Sequence, residues 1–146
     1  MQFLTKAECK KWCLNNQIPL SSYDTPAFSE AAKKQFVIPA DAGKRIALVK
    51  ELTEPFGANS KALVWITDWG VWPSSERQHI FNRLRVSYGC DALLVDQPGQ
   101  IFGKEEFEDM VSCVTLGVLF LWDVYVLTPL NKRGLFFSHD EYGLVL

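Results

Sequence analysis

The sequence predicts a mixed α/β chain of the α+β class, with about four helices packed on a small mixed sheet and a β-hairpin at its C-terminal end. Three observations predict it. Segments with apolar residues three and four apart alternate with short β-branched or aromatic runs. Clusters of Gly, Pro, Asp and Asn punctuate the chain between them. Two strand-like stretches, 119–127 and 135–137, then follow each other directly, which a purely doubly wound fold would not do. With 146 residues, 48% hydrophobic and 22% charged, the chain has the size and composition of one globular domain spanning 1–146.

Thr5-Lys6-Ala7-Glu8 has the form of a capping box, so a first helix is expected from there to about Asn16, with Trp12 on its buried side. Pro19 prevents continuation. Ser21 to Ser29 reads as a loop that Phe28 can anchor. Phe36-Val37-Ile38 is a brief strand ended by Pro39. Asp41 caps a second helix whose apolar positions are Ile46, Val49 and Leu52, and Pro55 and Gly57 end it.

Ala62 to Thr67 is the best candidate for a central strand, being continuously apolar and β-prone. The loop Asp68-Trp69-Gly70-Val71-Trp72-Pro73 follows. Ser74 or Ser75 then opens a third helix with Glu76 in its first turn, an apolar face of Ile80, Phe81, Leu84 and Tyr88, and Gly89 as its stop. Leu93-Leu94-Val95 is short, and Asp96-Gln97-Pro98-Gly99 is a turn. A fourth helix starts near Lys104 and carries the stripe Phe107, Met110, Val111, Val114 and Val118. The turn Thr128 to Gly134 joins the last two strands.

Composition narrows function. A net charge of −2 lacks the basic footprint of nucleic-acid binding, so no nucleic acid is expected as partner. The most apolar stretch, the 18 residues Met110 to Leu127, only just reaches a membrane span, contains Asp123 and turns β-like halfway, so no membrane partner is expected. The N-terminal residues lack the apolar run of a secretory signal, and Cys9, Cys13, Cys90 and Cys113 are expected as reduced, buried thiols of a cytoplasmic protein. Cys9 and Cys13 share a helix face, but the chain has no zinc-type ligand spacing and only two histidines. Neither a metal nor a cofactor is expected.

Three groups of residues are candidate sites. In the tryptophan loop, Asp68, Trp69 and Trp72 follow a central strand, where ligands gather in open sheets, and Trp is enriched in interface hot spots; the competing role is an inward cap on the core. The run Ser138-His139-Asp140-Glu141-Tyr142 holds a histidine among carboxylates, the ingredients of acid–base work. Counting back through the hairpin places Asp123 opposite this run, although neighbours His139 and Asp140 would point to opposite faces of a strand. Structural hydrogen bonding to a buried Asp123 in an apolar strand explains the same grouping. The basic helix residues Arg77, His79, Arg83 and Arg85 lack a convergent phosphate cradle and read as a solvated face. Lys44 lies in no complete phosphate-loop motif, and no zinc-protease, nucleophile-elbow or dinucleotide motif occurs.

In size, mild acidity and aromatic content, with Trp69-Gly70-Val71-Trp72-Pro73 and Phe137-Ser138-His139-Asp140-Glu141-Tyr142 as the prompting segments, the whole chain loosely resembles the small cytoplasmic immunity proteins with which bacteria neutralise toxins. The resemblance implies a protein partner and assigns no functional residue. The expected function is therefore a non-enzymatic protein-binding module, of immunity type, with Asp68, Trp69 and Trp72 at its binding surface and Glu105, Glu106, Glu108 and Asp109 as further steering acids. The rival is a small-molecule enzyme with His139, Asp123 and Asp140 as acid–base groups; a third reading is a structural or oligomer-forming module.

Overall fold

In the computed structural model, residues 1–28, 34–59, 61–69 and 75–146 are described. Four α-helices are found among them: α1 (Lys6–Asn15), α2 (Ala42–Thr53), α3 (Ser75–Ser87) and α4 (Phe107–Leu119). The strands are β1 (Gln2–Leu4), β2 (Lys34–Val37), β3 (Lys61–Asp68), β4 (Gly99–Gly103), β5 (Asp123–Leu127), β6 (Gly134–Phe137) and β7 (Tyr142–Val145). They form a seven-stranded sheet in the order β1-β4-β3-β5-β6-β7-β2. The α+β class and the C-terminal hairpin of β5 and β6 hold. The sheet is larger than the small one expected, and each of its pairings is antiparallel rather than mixed.

Local signals act where the sequence places them. Thr5 and Glu8 close the capping box of α1 reciprocally, at 3.2 and 2.7 Å, and Asp41 Oδ2 accepts the Lys44 amide at 2.8 Å to start α2. Gly89 stops the chain after α3 with φ of +88°, a conformation that glycine adopts without strain.

The continuous apolar run of β3 is explained by burial on both faces. Ala62, Val64 and Ile66 join a core with Val49 of α2, Phe81 of α3 and Met110, Val114 and Val118 of α4. Leu63 and Trp65 face the other way, into a second core with Cys9 and Cys13 of α1, Ile18, Tyr125 and Phe136. Phe28 anchors its loop edge-on against the Tyr125 ring, 6.1 Å away.

Four expectations are corrected. On α2 the inward positions are Arg45, Val49 and Thr53, four residues apart, so Ile46 is turned outward and 41% exposed. On α3, Phe81 and Arg85 point inward and Ile80 is 49% exposed. Arg85 therefore leaves the solvated face on which Arg77, His79 and Arg83 remain; its Nη2 donates to the Gln97 carbonyl at 2.5 Å and its guanidinium lies 5.0 Å from the Phe3 ring. Burial holds its pKa below the usual arginine value. The segment Leu93-Leu94-Val95 forms no strand, while Gly99, the expected end of a turn, begins β4. Finally β1 and β7, which no sequence signal marked, pair with β4 and with β6 and β2.

Candidate functional site

Three separate segments meet at one end of the sheet: the last residues of β3, the first residue of β5 and the 138–141 turn that joins β6 to β7. Register brings them together. Val124 pairs with Phe137, so Asp123 reaches the turn one residue beyond. On its other side Asp123 pairs with Asp68.

The pairing of the two aspartates needs an irregularity in β3. Ile66 pairs with Val124 and Asp68 with Asp123, so two steps along β3 match one along β5. Regular alternation would turn Asp68 to the same face as Ile66, away from Asp123. The extra residue flips it to the side of Asp123, which is how a bulge re-aims a side chain.

The 138–141 turn is tightly bonded. Ser138, 3% exposed, donates its amide to the Tyr142 carbonyl at 2.8 Å, and its hydroxyl accepts the Asp140 amide at 3.2 Å. Glu141 takes the left-handed φ of +64° and donates its amide to the Ser138 carbonyl. Asp123 Oδ1 accepts from the His139 backbone amide at 2.7 Å and lies 2.8 Å from His139 Nδ1. His139 Nε2 faces Asp140 Oδ1 at 3.5 Å. Because 138–141 is a turn rather than a strand, His139 and Asp140 meet after all, contrary to the alternation expected from a strand.

Asp68, Asp123 and His139 each place one donor atom within 4.8 Å of the others. The aspartates are half-buried and the imidazole is exposed. The hydrogen bond to Asp123 comes first among the causes that raise the His139 pKa above 6.5, with the charges of Asp123, Asp140 and Asp68 acting in the same direction. At neutral pH the ring is thus biased toward its cationic form, which neutralises part of the local carboxylate charge.

Trp69, next to this group, is half-buried and packs against the core that contains Ile66 and Phe81. It also lines a cavity of about 260 Å³ together with Tyr23, Trp65, Thr67, Val95 and Pro98. Tyr23, Val95 and Trp69 leave aromatic and aliphatic surface at its mouth, Tyr23 being 84% exposed. Trp69 therefore packs on the core as a cap while part of its ring stays exposed. Trp72 lies outside the described residues.

Asp68, proposed from the tryptophan loop, joins Asp123 and His139, proposed from the C-terminal histidine run, in one group. Asp123 lies in the middle of the expected 119–127 stretch but is the first residue of β5, and the bulge in β3 turns Asp68 toward it. A search by His and Cys spacing misses a group built from one histidine and two carboxylates on three segments. Of the expected steering acids, Glu106 is engaged by the N-terminal amine at 3.0 Å and the Gly103 amide at 2.7 Å, and Asp109 by the Tyr88 hydroxyl at 3.1 Å. Glu105 and Glu108 are exposed. All four cysteines are buried and free. Among the described residues no helix is long and apolar enough to cross a membrane.

Compared with known proteins, the chain matches no family model, and no curated protein or solved structure is significantly similar to it.

Proposed function

We propose that this chain is a non-enzymatic protein-binding module of immunity type, working in the cytoplasm and engaging a partner with a basic surface. The observation that carries this reading is an aromatic cavity at the end of β3 whose Trp69 directly follows Asp68, a member of the Asp68–Asp123–His139 group. Trp69, Trp65 and Tyr23 line a hollow of about 260 Å³, of a size to accept a partner's side chain. Asp68 immediately precedes Trp69 and belongs to the group with Asp123 and His139, and Asp140, which faces His139, is 70% exposed. Aromatic anchors flanked by charges of one sign suit an interface in which the ring contacts hold the complex and the charges accelerate encounter.

The enzyme reading, with His139, Asp123 and Asp140 as acid–base groups, has the hydrogen-bonded His139–Asp123 pair in its favour. The cavity lined by Trp69 has none of these three side chains in its wall, and the bonds of Asp123 to the turn serve a structural role. The binding reading uses more of the site.

The test is affinity capture from the host lysate with three baits: the parent chain, a Trp69→Ala/Trp72→Ala variant and Asp140→Lys. A basic protein retained by the parent, lost by the folded double Trp variant and associating more slowly with Asp140→Lys would support the reading. A partner that all three baits hold equally places the interface elsewhere and overturns it.

A further inference from the structure

We propose that Asp68, Asp123 and His139 together bind one divalent transition-metal ion, with zinc as the best-suited occupant. The inference concerns these three side chains alone and holds whether or not the chain also binds a protein.

The donor set and spacing argue for it. Two carboxylates and one imidazole are a mixed oxygen–nitrogen set that suits borderline divalent ions better than Mg²⁺, which prefers oxygen alone. Ligands bound to a common zinc at roughly 2.0–2.2 Å lie about 3–4 Å from one another. Here the three donor atoms are already within 4.8 Å of one another, and His139 Nδ1 is 2.8 Å from Asp123 Oδ1, so shifts of about 1 Å or less, this hydrogen-bonded pair opening and wider pairs closing, would bring them to those separations.

Two further observations are independent of that spacing. First, His139 Nε2 faces the Asp140 carboxylate at 3.5 Å. Imidazoles that hold a metal through one nitrogen almost always present the other N–H to a carboxylate or carbonyl, which fixes the tautomer and strengthens the ligand. An ion at Nδ1 would take the place of the proton that Nδ1 shares with the Asp123 carboxylate at 2.8 Å, leaving Nε2–H to face Asp140. Second, Asp68 and Asp123 are directly opposed across two strands, an arrangement in which like charges repel. A cation held between two opposed carboxylates offsets that repulsion. The imidazolium of His139 supplies one positive charge; a divalent ion supplies two and replaces the Nδ1 proton. The remaining coordination positions face solvent, since the His139 side chain is 41% exposed, and water fills them.

The pairing of Asp68 to Asp123 through the bulge also explains why a single ion would tie β3, β5 and the 138–141 turn together. It would crosslink β3 to the β5–β6 hairpin and its following turn, stabilising the native state by mass action.

The experiment is calorimetric titration of the full chain, stripped with chelator and kept reduced, with Zn²⁺, and with Mg²⁺ in parallel. The variants are Asp68→Asn, Asp123→Asn and His139→Ala, each checked for a native melting transition; Asp68→Asn preserves shape and keeps the test decisive if His139→Ala unfolds. One zinc per chain is expected, bound more tightly than Mg²⁺ and weakened about tenfold or more in the Asp68 and His139 variants. A second readout locates the ion: substoichiometric Mn²⁺ should broaden the ring resonances of His139 and spare those of His79. No saturable uptake by the parent chain overturns the proposal. So does uptake that Asp68→Asn retains in full, or broadening centred on His79.

Discussion

Asp123 holds His139 at two points, through one carboxylate oxygen that receives the backbone amide at 2.7 Å and faces ring Nδ1 at 2.8 Å. The first bond fixes where the turn lies against the sheet, and the second fixes the ring. A half-buried carboxylate at the mouth of an apolar strand thereby gains the partners it needs, and a turn with a left-handed residue gains an anchor.

This relationship predicts a pH dependence. The His139 pKa is raised, so its contribution to stability is present in full below the unfolded value near 6.5 and is lost as pH rises through the folded value. An NMR titration of the metal-free chain should give a His139 midpoint above 6.5, which Asp123→Asn lowers. Denaturation midpoints of the parent should fall between mildly acidic and mildly alkaline pH more than those of Asp123→Asn. An identical fall in both would show that another group is responsible. The ring is exposed, so solvent screening keeps the effect small.

Gly143 is a steric prediction. A Cβ at this position in β7 would press on the Phe36 ring of β2 and the main-chain carbonyl of Phe136 in β6. The Phe36 ring also packs edge-on to Phe137 at 5.6 Å, so it has little freedom to withdraw. Gly143→Ala should cost about 1–3 kcal/mol or more, as overpacking does. Urea unfolding measures it, and a loss within error of zero would mean that β2 docks less closely than described.

The helix faces make a paired prediction. Phe81 is 1% exposed and contacts Trp122 at 5.2 Å between ring centroids, whereas its neighbour Ile80 is 49% exposed. Phe81→Ala should destabilise by about 3–5 kcal/mol. Ile80→Ala should stay within about 0.5 kcal/mol. Equal losses in the two variants would show α3 to be rotated from its described orientation.

Thiol chemistry gives the last prediction. Burial pushes the Cys9, Cys13 and Cys113 thiols up to about 12. At pH 8 they are protonated and sealed in the two cores, so a disulfide reagent should modify them only as fast as the chain opens, and all four cysteines only after denaturation. Rapid native-state modification of Cys9 or Cys13 would contradict the packing of α1 on the sheet.

Where the governing force was local, the sequence was sufficient. The capping box at Thr5 and Glu8, the Asp41 cap and the strand at 61–68 each depend on residues within a few positions of one another, and each stands where composition and spacing put it. The inward face of a helix is less legible, because a charged residue at an inward position looks in sequence like an exposed one. Arg45 and Arg85 are both buried: Arg45 donates through Nε to the Pro39 carbonyl at 2.6 Å, and Arg85 reaches the Gln97 carbonyl, bonds to residues outside their own helices that no periodicity announces. In β4 the two glycines weaken the local strand signal, and pairing with β1 and β3 supplies what propensity lacks.

The sequence by itself determined the α+β class, the hairpin of β5 and β6, and the approach of Asp123 to His139, because hairpin register follows from counting residues back through one turn. Tertiary structure alone decided that Asp68 joins them. β3 and β5 are separated by more than 50 residues, so nothing local sets their register, and the extra residue at the end of β3 reverses the face that alternation assigns to Asp68. A strand shows its side chains alternately by its own geometry, but which neighbour it meets, and where the alternation breaks, is settled by the packing of the whole sheet.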